Sequence, residues 1–261
     1  MDLKTYDVIV VNTSAGKDSL AMLDHVVGLA AAEGVADRIV AVHADLGRME
    51  WAGTEQLARE QADYFGVRFE AVSRPQGDLL EHVRSRGMWP DSTRRYCTSD
   101  HKRGQVGTVI TRLANEVHRY RPTRVLNCLG LRAQESPARA KKVMVDRDRR
   151  QTGAGVKKVV DTWLPILHWT EAQVWARIKE SGAPYHWAYD LGMPRLSCVF
   201  CVFAPKAALV LAGKHNPELL EEYVQVEREI GHRFTLKTSI EEVQQAVQAG
   251  ETGGSMKDWT L

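Results

Sequence analysis

The sequence predicts an α/β fold, with a parallel central sheet carrying helices on both faces, plus a mostly helical C-terminal region. Three observations predict it. Short apolar runs alternate with helical patterns through the first half of the chain. Those runs are apolar at consecutive positions, as in strands covered on both sides. After residue 201 the pattern is helical throughout. The organisation expected is a first domain over 1–200 and a helical extension over 201–261.

The elements follow in order. Residues 8–11 (Val-Ile-Val-Val) are a strand, and 18–32 a helix with Leu20, Leu23, Val26, Val27 and Ala30 on its apolar face. Residues 38–43 form a second strand and 51–65 a second helix, with Gly66 as its stop. A third strand spans 67–72, a long helix 101–118 and a fourth strand 125–129. Right-handed crossovers would bring the strands' C-terminal ends to one edge, where ligands bind. The polar segment 146–156, with Gly153 and Gly155, reads as a mobile loop. A short helix over 170–180 has Thr170 as its N-cap. Helices follow over 205–212, 217–230 and 239–248, and the last dozen residues read as a loose tail.

Composition excludes several classes. The chain has 261 residues, 44% hydrophobic and 26% charged, with a net charge of +2. That is an ordinary globular balance. No apolar run approaches the roughly 20 residues of a membrane span, and no segment has the order of a signal peptide. A cytoplasmic protein without a membrane partner is expected. Its cysteines, Cys97, Cys128, Cys198 and Cys201, should then be reduced thiols or metal ligands. Charge is concentrated between residues 132 and 158, where nine Lys/Arg face three Asp/Glu, a surplus of +6. This is either a solvated basic face or a surface for a polyanion.

The segment Ser14-Ala15-Gly16-Lys17-Asp18-Ser19 joins the first strand to the first helix. Backbone N–H groups, a helix N-terminus and a lysine aimed at one point suit a phosphate. It is not a Walker loop, because Val11 and Asp18 stand where that motif needs glycine and Ser/Thr. Asp45 follows the second strand and is a candidate for Mg²⁺ or a ribose. Arg94-Arg95-Tyr96-Cys97, with Lys102, forms a basic segment. After the fourth strand comes Gly130-Leu131-Arg132-Ala133-Gln134-Glu135-Ser136, with Arg139 beyond it. Gly130 allows close backbone approach, and Arg132 offers two-pronged binding to phosphate.

Together these segments resemble the N-type ATP pyrophosphatases, including the phosphoadenylylsulfate (PAPS) reductase family and sulfur-modifying enzymes of tRNA and DNA. The loop is similar to their Ser-Gly-Gly-x-Asp-Ser element, with Ala15 in place of its first glycine. The basic segment, the Gly-x-Arg-x-x-Glu-Ser element at Gly130–Ser136 and the run from Leu164 to Trp175 occur in the family's order. The resemblance spans residues 8 to about 201. It implies an adenine nucleotide alpha-hydrolase-like, Rossmann-like fold and ATP cleavage between its α and β phosphates. It places Ser14, Ala15, Gly16, Lys17, Asp18, Ser19, Asp45, Gly130 and Arg132 on the nucleotide, with Lys17, Asp18 and Arg132 catalytic and Asp18 on Mg²⁺. Arg95, Lys102 and Arg139 become phosphate or substrate candidates.

Cys198-Val199-Phe200-Cys201 is a C-x-x-C pair. A redox dithiol, a structural zinc site and an iron–sulfur cluster all remain open on the residues alone. The resemblance points to a [4Fe–4S] cluster on Cys97, Cys198 and Cys201, with zinc as the alternative; Cys128, in a buried strand, is either a fourth ligand or a core residue. The family's reductases carry a Glu-Cys-Gly-x-His motif near the C-terminus, whereas no cysteine follows Cys201 here. The reading expected is therefore an ATP pyrophosphatase that adenylates an acceptor for sulfur transfer, as in DNA phosphorothioation or another nucleic-acid thiolation. Its partners would be a sulfur donor such as a cysteine desulfurase, a DNA or other nucleic-acid acceptor and further modification proteins. A sulfonucleotide reductase and a non-catalytic nucleotide-binding module are the alternatives.

Overall fold

The computed structural model describes residues 1–117, 120–152, 157–252 and 256. The strands are β1 (Val8–Thr13), β2 (Ile39–Ala44), β3 (Arg68–Val72), β4 (Thr123–Cys128), β5 (Val145–Arg147) and β6 (Lys158–Trp163). The helices are α1 (Lys17–Glu33), α2 (Thr54–Tyr64), α3 (Leu79–Arg86), α4 (Tyr96–Thr98), α5 (Gly104–Glu116), α6 (Pro137–Ala140), α7 (Glu171–Ser181), α8 (Lys206–His215), α9 (Pro217–Ile230) and α10 (Ile240–Gln248). Among the described residues, no helix is long and apolar enough to cross a membrane.

The chain divides into two compact units. The first comprises residues 1–44, 53–72 and 104–186. Its sheet runs in the order β3-β2-β1-β4-β6-β5. All neighbours are parallel except β5, which pairs antiparallel to β6. Alternate side chains of β1 enter two different cores, as the strand period requires. Ile9 and Val11 pack with Met22, Leu23, Val26 and Ala30 of α1. Val8 and Val10 pack with Val106, Val109, Ile110 and Leu113 of α5. The sheet is thus covered on both faces, as the continuous apolar runs predicted. The chain leaves β1 toward β2 and β3, then returns to β4 on β1's other side. The C-terminal ends of β1 and β4 therefore flank a topological switch point, where ligands of such sheets bind.

The second unit comprises residues 45–52, 73–103 and 187–261. It holds the C-terminal helices α8 to α10 and, in addition, two earlier segments that include α3 and α4. Its core gathers Leu80, Trp89, Phe200, Leu209, Tyr223, Phe234 and Val243. Trp89 stacks on Tyr223 with ring centroids 5.1 Å apart.

The segment 146–156 corrects the sequence reading. Residues 145–147 are strand β5, and Asp148 Oδ1 accepts the amides of Arg150 and Gln151 at 3.0 and 3.1 Å. Residues 153–156 and most of the expected tail lie outside the described residues. Every β5 residue is exposed, so the strand has no apolar pattern to announce it. The apolar pattern of β6 is broken by Asp161, which is buried and held by Tyr6 Oη at 3.0 Å and Arg147 Nε at 2.6 Å. The expected long helix begins at Gly104, after a widened turn over Ser99–Arg103.

Candidate functional site

The loop after β1 is built around one residue. Ala15 has φ 55 and is the one non-glycine at positive φ among the described residues. That left-handed conformation is the one glycine normally supplies. Ala15 is wholly buried, and Gln61 Nε2 of α2 donates to its carbonyl at 3.4 Å and to Pro184 O at 2.9 Å. Ser19 ties the loop's ends together. Its Oγ accepts from Ser14 N at 3.2 Å and donates to Gly16 O at 2.9 Å. Gly16 is the N-cap of α1 and has no side chain to cap the first turn. The positive end of a 17-residue helix, eight of whose residues are buried, points into this loop.

Side chains of opposite charge meet here. Arg132 is 1% exposed, and its Nε donates to Asp18 Oδ1 at 2.5 Å while Nη1 donates to Gln134 Oε1 at 2.9 Å. Lys17 is also 1% exposed, and its Nζ lies 3.3 Å from Glu171 Oε1. Gln134 Oε1 also accepts the amide of Glu171 at 2.9 Å, linking the two pairs. Glu135 Oε2 accepts the backbone amide of Arg132 at 2.8 Å and pairs with Arg139. A Cβ on Gly130 would lie 3.1 Å from Asp18 O and 3.2 Å from Ser19 N, so glycine there lets the β4 exit lie against the α1 start. The structure thus brings together Ser14, Ala15, Gly16, Lys17, Asp18, Ser19, Gly130 and Arg132, with Arg139 joined through Glu135.

Gln61, Gln134, Glu135 and Glu171 were not singled out as site residues from sequence. Glu135 lies inside the Gly-x-Arg-x-x-Glu-Ser element and Glu171 just after the Thr170 cap, so each carried a local signal. Gln61 carried none, since its role depends on α2 packing beside the loop.

The remaining candidates lie in the second unit. Asp45 Oδ1 accepts the amide of Gly47 at 2.8 Å. Arg95 sits over the Phe203 ring at 4.9 Å, with its Nε buried and without a hydrogen-bond partner among the described residues. Cys97, Cys198 and Cys201 act on one another electrostatically, and Lys102 acts on all three. The Cys198 thiol hydrogen-bonds Cys201, which pushes Cys198 up and Cys201 down; the Phe203 amide, Lys102 and Arg195 lower Cys201 further. Burial raises Cys97. Three thiols sharing cations suit a group that binds thiolates. Cys128 is elsewhere: it is wholly buried in the first unit's core beside Ile9, Val11 and Leu126, and burial pushes its thiol far up. Cys128 thus packs as an apolar core residue of the first unit, while the other three thiols belong to the second.

A family model for the phosphoadenosine phosphosulfate reductase domain matches residues 8–204. The chain belongs to this family. An uncharacterized 37.8 kDa protein of Escherichia phage 186 is 29% identical over 173 residues, covering 66% of this chain and 49% of that protein. Adenosine 5'-phosphosulfate reductase of Shouchella clausii is 37% identical over 75 residues, 29% of this chain and 28% of that enzyme. The chain therefore spans about half or less of these relatives. The crystal structure of Candida auris phosphoadenylyl-sulfate reductase, a phosphate complex, superposes with a TM-score of 0.50 at 19% identity, covering 75% of this chain and 83% of that one. The PAPS reductase family fold is the one described above, and its named members act on adenine nucleotides.

Proposed function

We propose that this chain is an ATP pyrophosphatase that adenylates an acceptor for sulfur transfer, in DNA phosphorothioation or another nucleic-acid thiolation. The observation that carries this reading is the loop at the switch point: a left-handed Ala15 and an uncapped α1 start, with Lys17, Asp18 and Arg132 converging. An acceptor oxygen attacks the α phosphorus and the bond to the β-phosphate bridging oxygen breaks. Negative charge develops on pyrophosphate, where preorganised donors give the most stabilisation. The loop amides, the α1 dipole and the Lys17 ammonium supply it from one side. Arg132, oriented by Asp18 and Gln134, supplies it from the other. Lys17 leaves Glu171 for the phosphates when nucleotide enters. Asp18 would hold Mg²⁺, which adds positive charge at the phosphates. Cys97, Cys198 and Cys201 would hold a [4Fe–4S] cluster, supplying electrons or a sulfide site, with sulfur delivered by a donor such as a cysteine desulfurase.

The test is pyrophosphate release from ATP with an oligonucleotide acceptor and a sulfur donor. Release should fall about 100-fold or more in Lys17→Ala, with an unchanged circular dichroism spectrum. Sulfite formed from adenylylsulfate and a thiol would replace this reading with a sulfonucleotide reductase. ATP binding without release under every acceptor condition would make the chain a nucleotide-binding module.

A further inference from the structure

The strand at the end of the sheet is chemically unlike the rest of the first unit. Residues 141–147 are all exposed, and so are Arg149 and Arg150. Lys141, Lys142, Arg149 and Arg150 make no ion pair among the described residues. Between the two cationic pairs stand Val143, Met144 and Val145, exposed by 62%, 40% and 44%. The turn carrying Arg149 and Arg150 is held in place. Asp148 Oδ1 accepts two of its amides, and Gln151 lies close over Gly107 of α5, against its Cα face. Lys158 Nζ reaches Gln151 Oε1 at 3.3 Å. The four charges are therefore mounted on ordered backbone and continue directly from Arg132, Glu135 and Arg139 at the nucleotide loop.

Such an edge invites either a peptide strand or a polyanion. The hydrogen bonding favours the second. Leu164 N donates to Met144 O and Asp148 N to Val160 O, so residues 144 and 148 face β6 and the amide of Arg147 faces outward. That amide already donates to Asp146 Oδ1 at 2.8 Å, which takes up the outward donor that a pairing strand would need there. An added strand would find the outward ladder obstructed. A partner engaged through side chains would not.

We propose that residues 141–150 are a phosphodiester-binding surface that leads a nucleic-acid acceptor to the adenylation site. Lys141, Lys142, Arg149 and Arg150 contact backbone phosphates, and Val143, Met144 and Val145 lie against sugars and bases. The inference rests on the nucleic-acid reading above and names the surface that would deliver the acceptor. Four phosphates neutralised should give a salt slope of about 3 in log Kd against log salt. Affinity should then fall about 50-fold between roughly 50 and 200 mM NaCl.

The experiment is fluorescence anisotropy of the full chain with a fluorescein-labelled 20-nucleotide DNA across that salt range. The expected result is steep weakening for the wild type. A variant combining Lys141→Gln, Lys142→Gln, Arg149→Gln and Arg150→Gln should lose most of that slope and keep its circular dichroism spectrum. The proposal is overturned by no binding of the DNA, by an unaltered slope in the variant, or by polyglutamate competing as well as DNA. Pyrophosphate release is read in a separate assay, so failure of the adenylation chemistry would leave the salt slope standing.

Discussion

Replacing Ala15 by glycine should stabilise the first unit. Ala15 has φ 55, and its side chain is wholly buried beside the α1 start. Holding an L-residue in the left-handed region costs roughly 1–2 kcal/mol. Glycine removes that cost but enlarges the unfolded ensemble, which offsets about 0.4–1 kcal/mol. The difference favours Ala15→Gly by about 0.5–1 kcal/mol, or a Tm increase of about 1–4 °C for a unit of this size. Ala15→Val should act in the opposite sense, since a β-branched side chain is a poor fit to positive φ. The assay is urea denaturation followed by far-UV circular dichroism, comparing midpoints at constant m. Nucleotide affinity should follow the same order, glycine at least equal to alanine and valine weakest. A lowered midpoint for the glycine variant, with a neutral valine variant, would refute the claim that this residue is held in strain.

Three further outcomes are expected. Asp18→Asn leaves the buried Arg132 guanidinium without its carboxylate and should cost about 2–3 kcal/mol, short of a fully buried pair because Asp18 is partly exposed; a loss under ~0.5 kcal/mol in urea titration would contradict the assigned pairing. His186 is buried against Thr54 and its pKa is lowered to about 4 by burial. Above about pH 6.5 it is neutral in both states; as pH falls toward 4 the unfolded chain takes up a proton that the folded chain refuses, so stability drops by up to about 1.4 kcal/mol per pH unit. His186→Gln should flatten that acid limb, and an unchanged limb would rule His186 out as its source. Finally, Cys201→Ser should abolish iron and sulfide in anaerobically purified protein. Cys128→Ala should keep both and cost about 1 kcal/mol of core packing; iron lost from the Cys128 variant instead would make that residue the fourth ligand.

Much of the first unit was legible from local patterning. The strands β1 and β2 carry unbroken apolar runs of four because both faces are covered, and β4 keeps a shorter one at Val125 and Leu126; these runs are visible in any linear reading. Thr170 was legible as a cap because its Oγ1 accepts from Gln173 N, a contact three residues long. Helix α3 carries a comparable local sign, the Asp78–Glu81 capping box, although its apolar periodicity is short. Strand β5 carried none. Its residues face water, and only the ladder to β6 makes them a strand.

By itself the sequence determined the composition of the nucleotide loop, its place after the first strand, and the thiols at 97, 198 and 201. Local chemistry suffices for these, since a strand, a turn and a helix start are set within a dozen residues. Only the tertiary structure decided that Ala15 accepts the glycine conformation, that Gln61 and Glu171 serve the loop from distant helices, and that Cys128 belongs to the core. These depend on which faces of the sheet the helices cover, and that choice is made by packing among residues far apart in the chain.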